Sequence, residues 1–480
     1  MQFDFDVAVV GAGTAGLVSS VVADSLGAKV ALIERDKVGG ECLWRGCVPS
    51  KTLLRSAKVW EIVKRSEEFG VHVEKPKVVW SAIRLRLADV RDEIRKGERE
   101  ELGKSGVTQI AGNASFLDGH TLEITGKNGP QQIRARKFIL ATGSSPVVPD
   151  VEGLKEIGFL TYEGLFERPN LPKSLIFIGG GPLACEMAQA FGRFGTRVVM
   201  LQKAEQLMPR EEKVVVEHLL QILRAEGIMV HLNAEISRVE EAGERKRVVF
   251  SVDGVEQSLE AGEIVLAAGK QPRFDGMNLN VAGVQFNEKG LIVDEKLQTS
   301  ARHIWACGDC TGEHLFTHAA EHAAKIAGAN AVLPVGLKVD WKTLNWVTYT
   351  DPEIAHIGQS PEEARREWGE IETLRADFKT LDRAIIEGEA SGFALIFTTK
   401  SGRIVGAQII GSGAGELAPV VVAAVRDGAL IQEWAETIFA YPTMSEIFHK
   451  AGNEAYRVQL DSPVVKTGLG LWHRLEQKFS

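Results

Sequence analysis

Val7-Ala8-Val9-Val10-Gly11-Ala12-Gly13-Thr14-Ala15-Gly16 opens the chain with an apolar run that turns on glycines into a helix pattern. Four consecutive apolar residues suit a strand covered on both faces. The small-residue pattern then predicts a helix through Val22, and 30–33 a second strand capped by Glu34. Gly11 suits the tight turn, Gly13 lets a pyrophosphate approach the backbone, and Gly16 lets the helix pack closely on the strand. The helix N-terminus presents its N–H groups to the phosphates. Glu34, 23 residues after Gly11, can accept hydrogen bonds from ribose hydroxyls. A lone G-x-G-x-x-G is weak, but between strand and helix with such an acid it specifies a dinucleotide site.

The device recurs 168 positions later. The run 175–178 leads into Gly179-Gly180-Gly181-Pro182-Leu183-Ala184, and a strand over 198–201 ends at Gln202. Gly11, Gly13, Gly16 and Glu34 map without gaps onto Gly179, Gly181, Ala184 and Gln202. Two such sites imply two nucleotides and a hydride route between them; the alternative is that one copy is a degenerate scaffold. A carboxylate at the end of the second copy would repel a 2′-phosphate, whereas Gln202 followed by Lys203 tolerates one. That favours NADPH, with NADH also usable. Lys203 as a solvated surface lysine is the alternative reading.

Between the copies stands Gly39-Gly40-Glu41-Cys42-Leu43-Trp44-Arg45-Gly46-Cys47-Val48-Pro49-Ser50-Lys51. In one regular helix, cysteines five residues apart would be separated by a rise of roughly 7.5 Å. A disulfide wants Cα atoms within about 7 Å. To bridge, Cys42 must lie before the helix and Cys47 at its first turn, with Gly46 supplying a permissive backbone. A thiolate at a helix N-terminus is stabilised by the dipole, which suits a redox thiol. Two reduced core cysteines are the alternative.

The segment 39–51 resembles the redox-disulfide signature of the class I pyridine nucleotide-disulfide oxidoreductases, a group that includes dihydrolipoamide dehydrogenase, glutathione reductase and mercuric reductase. The resemblance runs from Asp6 to about Tyr456. It implies FAD in the first site, NAD(P)H in the second, and a Cys42–Cys47 disulfide with Cys47 on the flavin side and Cys42 as the interchange thiol. Lys51 and Glu186 resemble a pair near the flavin N5 and nicotinamide, in which the lysine stabilises negative charge on reduced flavin and the glutamate positions it. The run 138–144, with Thr142 and Gly143, resembles the segment closing the first nucleotide domain. The run 266–272, with Gly269, resembles the segment closing the second, and Lys270 stands where the family usually has arginine. The run 299–309 resembles the second flavin motif, in which Asp309 binds a ribityl hydroxyl, and His318 and Ala319 fall where the family approaches the isoalloxazine. From Tyr349 the chain is similar to the family's C-terminal interface domain, which forms a homodimer and lends residues to the partner's site.

The implied fold is α/β: two Rossmann-like nucleotide-binding domains, for FAD and NAD(P), plus a C-terminal α+β dimerisation domain. The expected boundaries are 1–150 for the first part of the FAD domain and 151–270 for the NAD(P) domain. The second, central part of the FAD domain spans 271–340, and the interface domain with its tail 341–480. Other cysteines fit packing roles. Cys307 and Cys310 have Cys-x-x-Cys spacing, which could mark a second redox pair or half a metal site. They overlap the flavin turn, however, and no Cys/His pair at ligand spacing completes a metal site. Cys185 falls on an apolar helix face.

Near the end the resemblance breaks. Thiol-handling members carry His-Pro-Thr followed by a glutamate that orients the histidine, whereas this chain reads Ala440-Tyr441-Pro442-Thr443-Met444-Ser445-Glu446. A phenol with pKa near 10 is a poor base at neutral pH. Mercuric reductases also have tyrosine here, but end in a vicinal cysteine pair that this sequence lacks. His449 could substitute as base, with packing the alternative. The resemblance thus implies a mercuric-reductase-like metal or electrophile reductase. The alternatives are a dihydrolipoamide-dehydrogenase-like disulfide enzyme and a low-turnover flavin-binding redox sensor or assembly protein.

Composition agrees with a soluble enzyme. The chain has 480 residues, 44% apolar and 25% charged, which suits about three globular domains. A net charge of -8 argues against nucleic acid as a main partner. Five cysteines are no disulfide scaffold and favour a reducing cytoplasm. The N-terminus lacks a signal-peptide pattern, and the apolar run 417–425 is too short to span a bilayer. Trp472, Leu475 and Phe479 share one helical face, which suits docking on the chain's own dimer, with a membrane or partner surface the alternative.

Overall fold

The computed structural model describes residues 2–334, 336–460, 466–470, 472, 476 and 477, without the side chains of 458–460. It divides into two compact units, one of Met1–Glu205 with Glu226–Asp340 and the other of Gln206–Ala225 with Trp341–Ser480.

The first unit holds two parallel sheets, each wound around a glycine turn. In the first, Phe5–Val10 lies between Val30–Glu34 and Gly129–Leu140, pairing Val7 with Val30 and with Lys137. Thr108–Ala111 adds beyond Val30–Glu34, and Ile304–Ala306 joins the far side of Gly129–Leu140, all parallel. Such strands are covered on both faces, and 7–10 are buried throughout. The 12-residue strand Gly129–Leu140 also serves an antiparallel meander through its first half, pairing Thr121 with Arg134. Phe138, Phe116 and Leu122 fill the core beneath that strand.

The second sheet repeats the plan. Ser174–Ile178 lies between Arg197–Leu201 and Glu263–Leu266, with Met229–His231 and Leu160–Thr161 at the edges, all parallel. An antiparallel sheet of Glu235–Ala242, Arg245–Val252 and Val255–Ala261 adjoins it. Each glycine turn feeds a helix, Thr14–Ser25 in the first copy and Pro182–Arg193 in the second. Proline at the second helix's first position costs nothing, since that N–H has no intrahelical partner.

The second unit is built on an antiparallel sheet in the order Asn345–Thr348, Glu353–Gly358, Ile404–Gly411, Phe393–Thr399, Ile371–Asp377. Ala414–Asp427 packs on its central strands and Glu446–Leu460 on its far edge. Phe378, Phe448, Ile409 and Trp434 make the core between sheet and helices.

Among the described residues, no helix is long and apolar enough to cross a membrane. Residues 466–470 are helical, and Trp472 is exposed; Leu475 and Phe479, the other two positions of the expected apolar stripe, lie outside the described residues.

Candidate active site

The two glycine turns are shaped by what a side chain would strike. Gly11 has φ +100°, and a Cβ there would overlap the carbonyl oxygen of Ala141; Gly179 has φ +118° and would meet that of Ala267 in the same way. A Cβ on Gly16 would run into the Gly11 carbonyl, so the helix can lie against the turn only through glycine. In the second copy Ala184 is buried on its helix. Among the described residues, no side chain caps either helix start, so backbone N–H groups remain for phosphate oxygens. Glu34 does more than end its strand. Its carboxylate accepts Ala12 N–H at 2.7 Å and Asp36 N–H at 2.8 Å, which ties the first turn to the second strand. Gln202 is buried at the matching place and Lys203 is exposed.

The redox segment is seated directly on the first turn. Gly39 N–H donates to Ala12 O at 2.9 Å, and a Cβ on Gly40 would come within 2.6 Å of Gly13 Cα. Cys42 precedes the helix that Cys47 begins. It lies in a short helix of its own, Gly40–Trp44, and Cys47 is the first residue of Cys47–Lys64. The two helices join at Gly46, whose N–H donates to Glu41 O at 2.7 Å and whose missing Cβ would stand 3.2 Å from that oxygen. The break folds Cys42 back over the start of the second helix, where a single helix would have carried it away.

Both cysteines are free thiols in this structure. A hydrogen bond from Cys42 is the largest influence on Cys47 and pulls its pKa down to about 6. Burial opposes this, while the Thr317 hydroxyl, 3.3 Å from Sγ, and the charges of Lys51 and Lys270 reinforce it. Cys42 is pushed far up by the same hydrogen bond and by burial. The two thiols titrate as one coupled pair, in which the hydrogen bond between them favours the charged form of Cys47 and disfavours that of Cys42.

One turn along from Cys47, Lys51 Nζ meets Glu186 Oε2 at 2.9 Å and Oε1 at 3.1 Å. Glu186 comes from the second copy's helix and is 2% exposed. On the other side, Asp309 accepts from Ser144 Oγ at 2.7 Å. Burial raises the Asp309 carboxyl against the opposing pull of Lys270 and Ser144. Gly143, with φ +72°, has nothing within 4 Å of its Cβ position. Thr142 precedes it, two residues beyond the end of the strand at Leu140, and Gly269, with φ +111°, is likewise open. Ala319 is buried on Thr317–Val332, while His318 is exposed and stacks on Phe316.

Cys307 and Cys310 are fully buried, and Cys310 Sγ donates to Leu140 O and Cys307 O, each at 3.4 Å. Burial pushes both thiols up, Cys310 to about 11. Cys185 is fully buried as well. Among the described residues, no group of three or more His, Cys, Asp or Glu side chains is arranged to hold a metal ion.

Tyr441 and Glu446 belong to the second unit. Tyr441 is 69% exposed, and its hydroxyl donates to Asp382 Oδ2 at 2.8 Å. That hydrogen bond, with the charge of Asp382, raises the phenol pKa. Glu446 accepts Thr443 N–H at 3.3 Å at the start of its helix. His449 Nδ1 is buried without a hydrogen-bond partner among the described residues, and its ring meets Phe439 edge-on.

Residues 5–324 match the pyridine nucleotide-disulphide oxidoreductase family, and residues 344–452 its dimerisation domain. The chain belongs to this family. A mercuric reductase of Bacillus cereus is 31% identical over 448 residues, covering 93% of this chain and 70% of that protein. A dihydrolipoyl dehydrogenase of Bacillus subtilis is 33% identical over 449 residues, covering 93% and 97%. Among solved structures, the Cu(II) complex of the HOCl-induced flavoprotein disulfide reductase RclA from Escherichia coli superposes with a TM-score of 0.84 at 26% identity. It covers 94% of this chain and 99% of that one. As a member of this family, the protein is an FAD- and NAD(P)-dependent disulfide oxidoreductase.

The residues present fit FAD. The first turn leaves open space beside Gly13, where the nearest atom to a Cβ would be 3.8 Å away, and offers uncapped amides. Glu34, Gly143 and Asp309 supply the polar and open positions expected around it. Gly16→Ala is expected to force the turn off its strand and to cost the protein its flavin. The check is the yellow absorbance retained after gel filtration, which should fall to a small fraction of the wild-type value.

Sequence reading passed over Glu41, Tyr162, Ser144 and Thr317 as site residues and gave Lys270 no role. Glu41 stands inside the redox motif, but its partners Tyr162 and Lys270 are 121 and 229 positions away. Only the fold could join them.

Proposed function

We propose that the protein passes electrons from NADPH to an oxidising metal ion or similar electrophile through the Cys42–Cys47 pair. The observation that carries this reading is Tyr441: its phenol donates to Asp382 and is held protonated, so it cannot take a proton from a dithiol. FAD, which Gly11, Gly13, Gly16, Glu34, Gly143 and Asp309 would hold, would supply the relay between nicotinamide and disulfide. Cys47 holds the thiolate at the helix start, and Cys42 carries the proton and faces exchange. Lys51, anchored by Glu186, keeps a positive charge beside the pair. Overall, NADPH gives two electrons to one divalent ion, or one to each of two Cu(II) ions, leaving NADP⁺ and one proton. The mercuric reductase and Cu(II)-bound RclA relatives support this acceptor class. The protein works as a homodimer through 344–452, in the cytoplasm.

NADPH oxidation should therefore run faster with Hg(II) or Cu(II) as acceptor than NAD⁺ reduction runs with dihydrolipoamide. The reverse order would make the protein a dihydrolipoyl-dehydrogenase-like enzyme. Nicotinamide choice is set at Gln202-Lys203, where no carboxylate repels a 2′-phosphate. Gln202→Glu is expected to move the NADPH/NADH ratio of kcat/KM about 10–100-fold toward NADH, the worth of a hydrogen bond to a charged group at about 1.5–3 kcal/mol. A wild type that already prefers NADH by that margin would remove the 2′-phosphate argument.

A further inference from the structure

Glu41, the residue before Cys42, is held through both its main chain and its side chain. The main-chain oxygen accepts Arg45 N–H at 2.9 Å and Gly46 N–H at 2.7 Å. Those two bonds close the short helix and turn the chain into the helix that Cys47 begins. The approach they produce is close, since a Cβ on Gly46 would stand 3.6 Å from Cys42 Cα. The side chain is held from outside the segment. Its Oε1 accepts Lys270 Nζ at 2.6 Å, and the Tyr162 hydroxyl donates to the same oxygen. Both donors stand on anchored backbone. Lys270–Pro272 pairs antiparallel with Ser144–Pro146, and Tyr162 opens a helix directly after the edge strand Leu160–Thr161. Tyr162 is 4% exposed, and burial with the charge of Glu41 pushes its phenol up, so it keeps its proton and remains a donor.

We propose that Glu41 is a positioning residue for the redox pair: its doubly held carboxylate fixes the short helix so that Cys42 stays within bonding reach of Cys47, which favours the disulfide over the dithiol. This rests on the reading of Cys42 and Cys47 as the redox disulfide. The physical ground is chain entropy. A disulfide needs its Cα atoms about 4.4–6.8 Å apart and its sulfurs at about 2.05 Å. A segment already held in that geometry loses little freedom when the bond closes, whereas a loose one must be ordered first. Left to itself this segment would be loose, because Gly39 and Gly40 precede Cys42 and Gly46 follows it, and glycine has the most backbone freedom to lose. Restraint must therefore come from contacts, and Glu41 supplies it at the residue bonded to Cys42. Trp44 Nε1 donates to Val38 O at 2.8 Å, and Arg45 meets Asp36 at 2.9 Å. These secure the other end of the short helix, so releasing Glu41 loosens the Cys42 end without melting the segment.

The test is the dithiol–disulfide equilibrium of the FAD-bound protein in dithiothreitol redox buffers. After acid quenching and alkylation, the mass of the peptide carrying Cys42 and Cys47 reports two alkyl groups or none. Glu41→Ala should shift the equilibrium about tenfold toward the dithiol, a reduction potential about 30 mV more positive. Glu41→Gln keeps an oxygen that accepts both donors without the charge, and should stay close to the wild type. Tyr162→Phe removes one donor at constant charge. It should shift the equilibrium in the same direction by less, and add nothing to Glu41→Ala, because both act through one contact. An unmoved equilibrium in Glu41→Ala overturns the proposal. So does a Glu41→Gln that shifts as far as Glu41→Ala, since charge and not the hold would then be the cause. If Glu41→Ala does not retain flavin, an unmoved equilibrium in Tyr162→Phe overturns the proposal alone. A wild-type peptide that stays fully alkylated at every buffer ratio would instead sink the disulfide reading itself, and the proposal with it.

Discussion

Cys47→Ser is expected to abolish, and Cys42→Ser to reveal without any reductant, a long-wavelength absorption in the FAD-bound protein. The two thiols are shifted in opposite directions by the hydrogen bond between them. Cys47 begins a helix, receives the Cys42 hydrogen bond, faces Thr317, and feels two lysines, and its pKa falls to about 6. Cys42 is driven the other way and keeps the proton. A thiolate next to an oxidised flavin is an electron donor beside an acceptor, which gives such a band. In the wild type the disulfide must first be reduced by two electrons to free that thiolate. In Cys42→Ser no disulfide can form, so the thiolate is present from the start. In Cys47→Ser the only remaining thiol of the pair is Cys42, whose pKa burial still raises. In the reduced wild type, where Cys42 still donates to Cys47, the band should be nearly full at neutral pH and fade as pH falls through about 6. Both variants should lose turnover with metal or disulfide acceptors down to background, while reduction of a dye by NADPH survives. A band that persists in Cys47→Ser and is missing in Cys42→Ser would exchange the two roles.

What could be read from the chain before folding depended on the range of the constraint. The nucleotide turns were legible because the reason for each glycine is local: Gly11 and Gly179 must let a neighbouring carbonyl, of Ala141 or Ala267, into the space of a Cβ. The Cys42–Cys47 segment was half legible. Spacing required a change of direction between the two cysteines, but it could not show that Cys42 has a helical turn of its own, since five residues of Gly40–Trp44 carry too little periodicity to announce one. The Lys270–Glu41–Tyr162 group was hidden. Each residue alone is an ordinary charged or aromatic residue, and the contact forms only when the strand at Lys270 and the segment at Tyr162 are brought to the short helix. The partner of Tyr441 was hidden for the same reason, Asp382 lying 59 positions upstream.

Tyr441→His is expected to raise turnover with dihydrolipoamide by about 10²–10⁴-fold, the usual worth of general-base help. A dithiol must lose a proton before it can exchange with Cys42, and imidazole is poised to take it near neutral pH. The wild-type phenol is doubly unsuited: its ordinary pKa lies far above neutrality, and the hydrogen bond to Asp382 raises it further. Flavin reduction by NADPH does not need that base, so it should be unchanged in the variant; the split between an unchanged reductive half and a faster dithiol half is the signature to measure. Glu446 stays five residues downstream, where it can orient the new ring, and Tyr441→His with Glu446→Ala should lose most of the gain. A metal acceptor needs no proton removed from it, so Hg(II) or Cu(II) turnover should not rise with the histidine. The competing base within the chain is His449, one turn beyond Glu446, with its Nδ1 buried and unpaired among the described residues. If the wild type already turns over dihydrolipoamide at hundreds per second, in the upper part of the usual enzyme range of about 1–10³ s⁻¹, some other group is the base. His449→Phe would then be expected to remove that activity and Tyr441→His to add nothing, and the metal-reductase reading would fall.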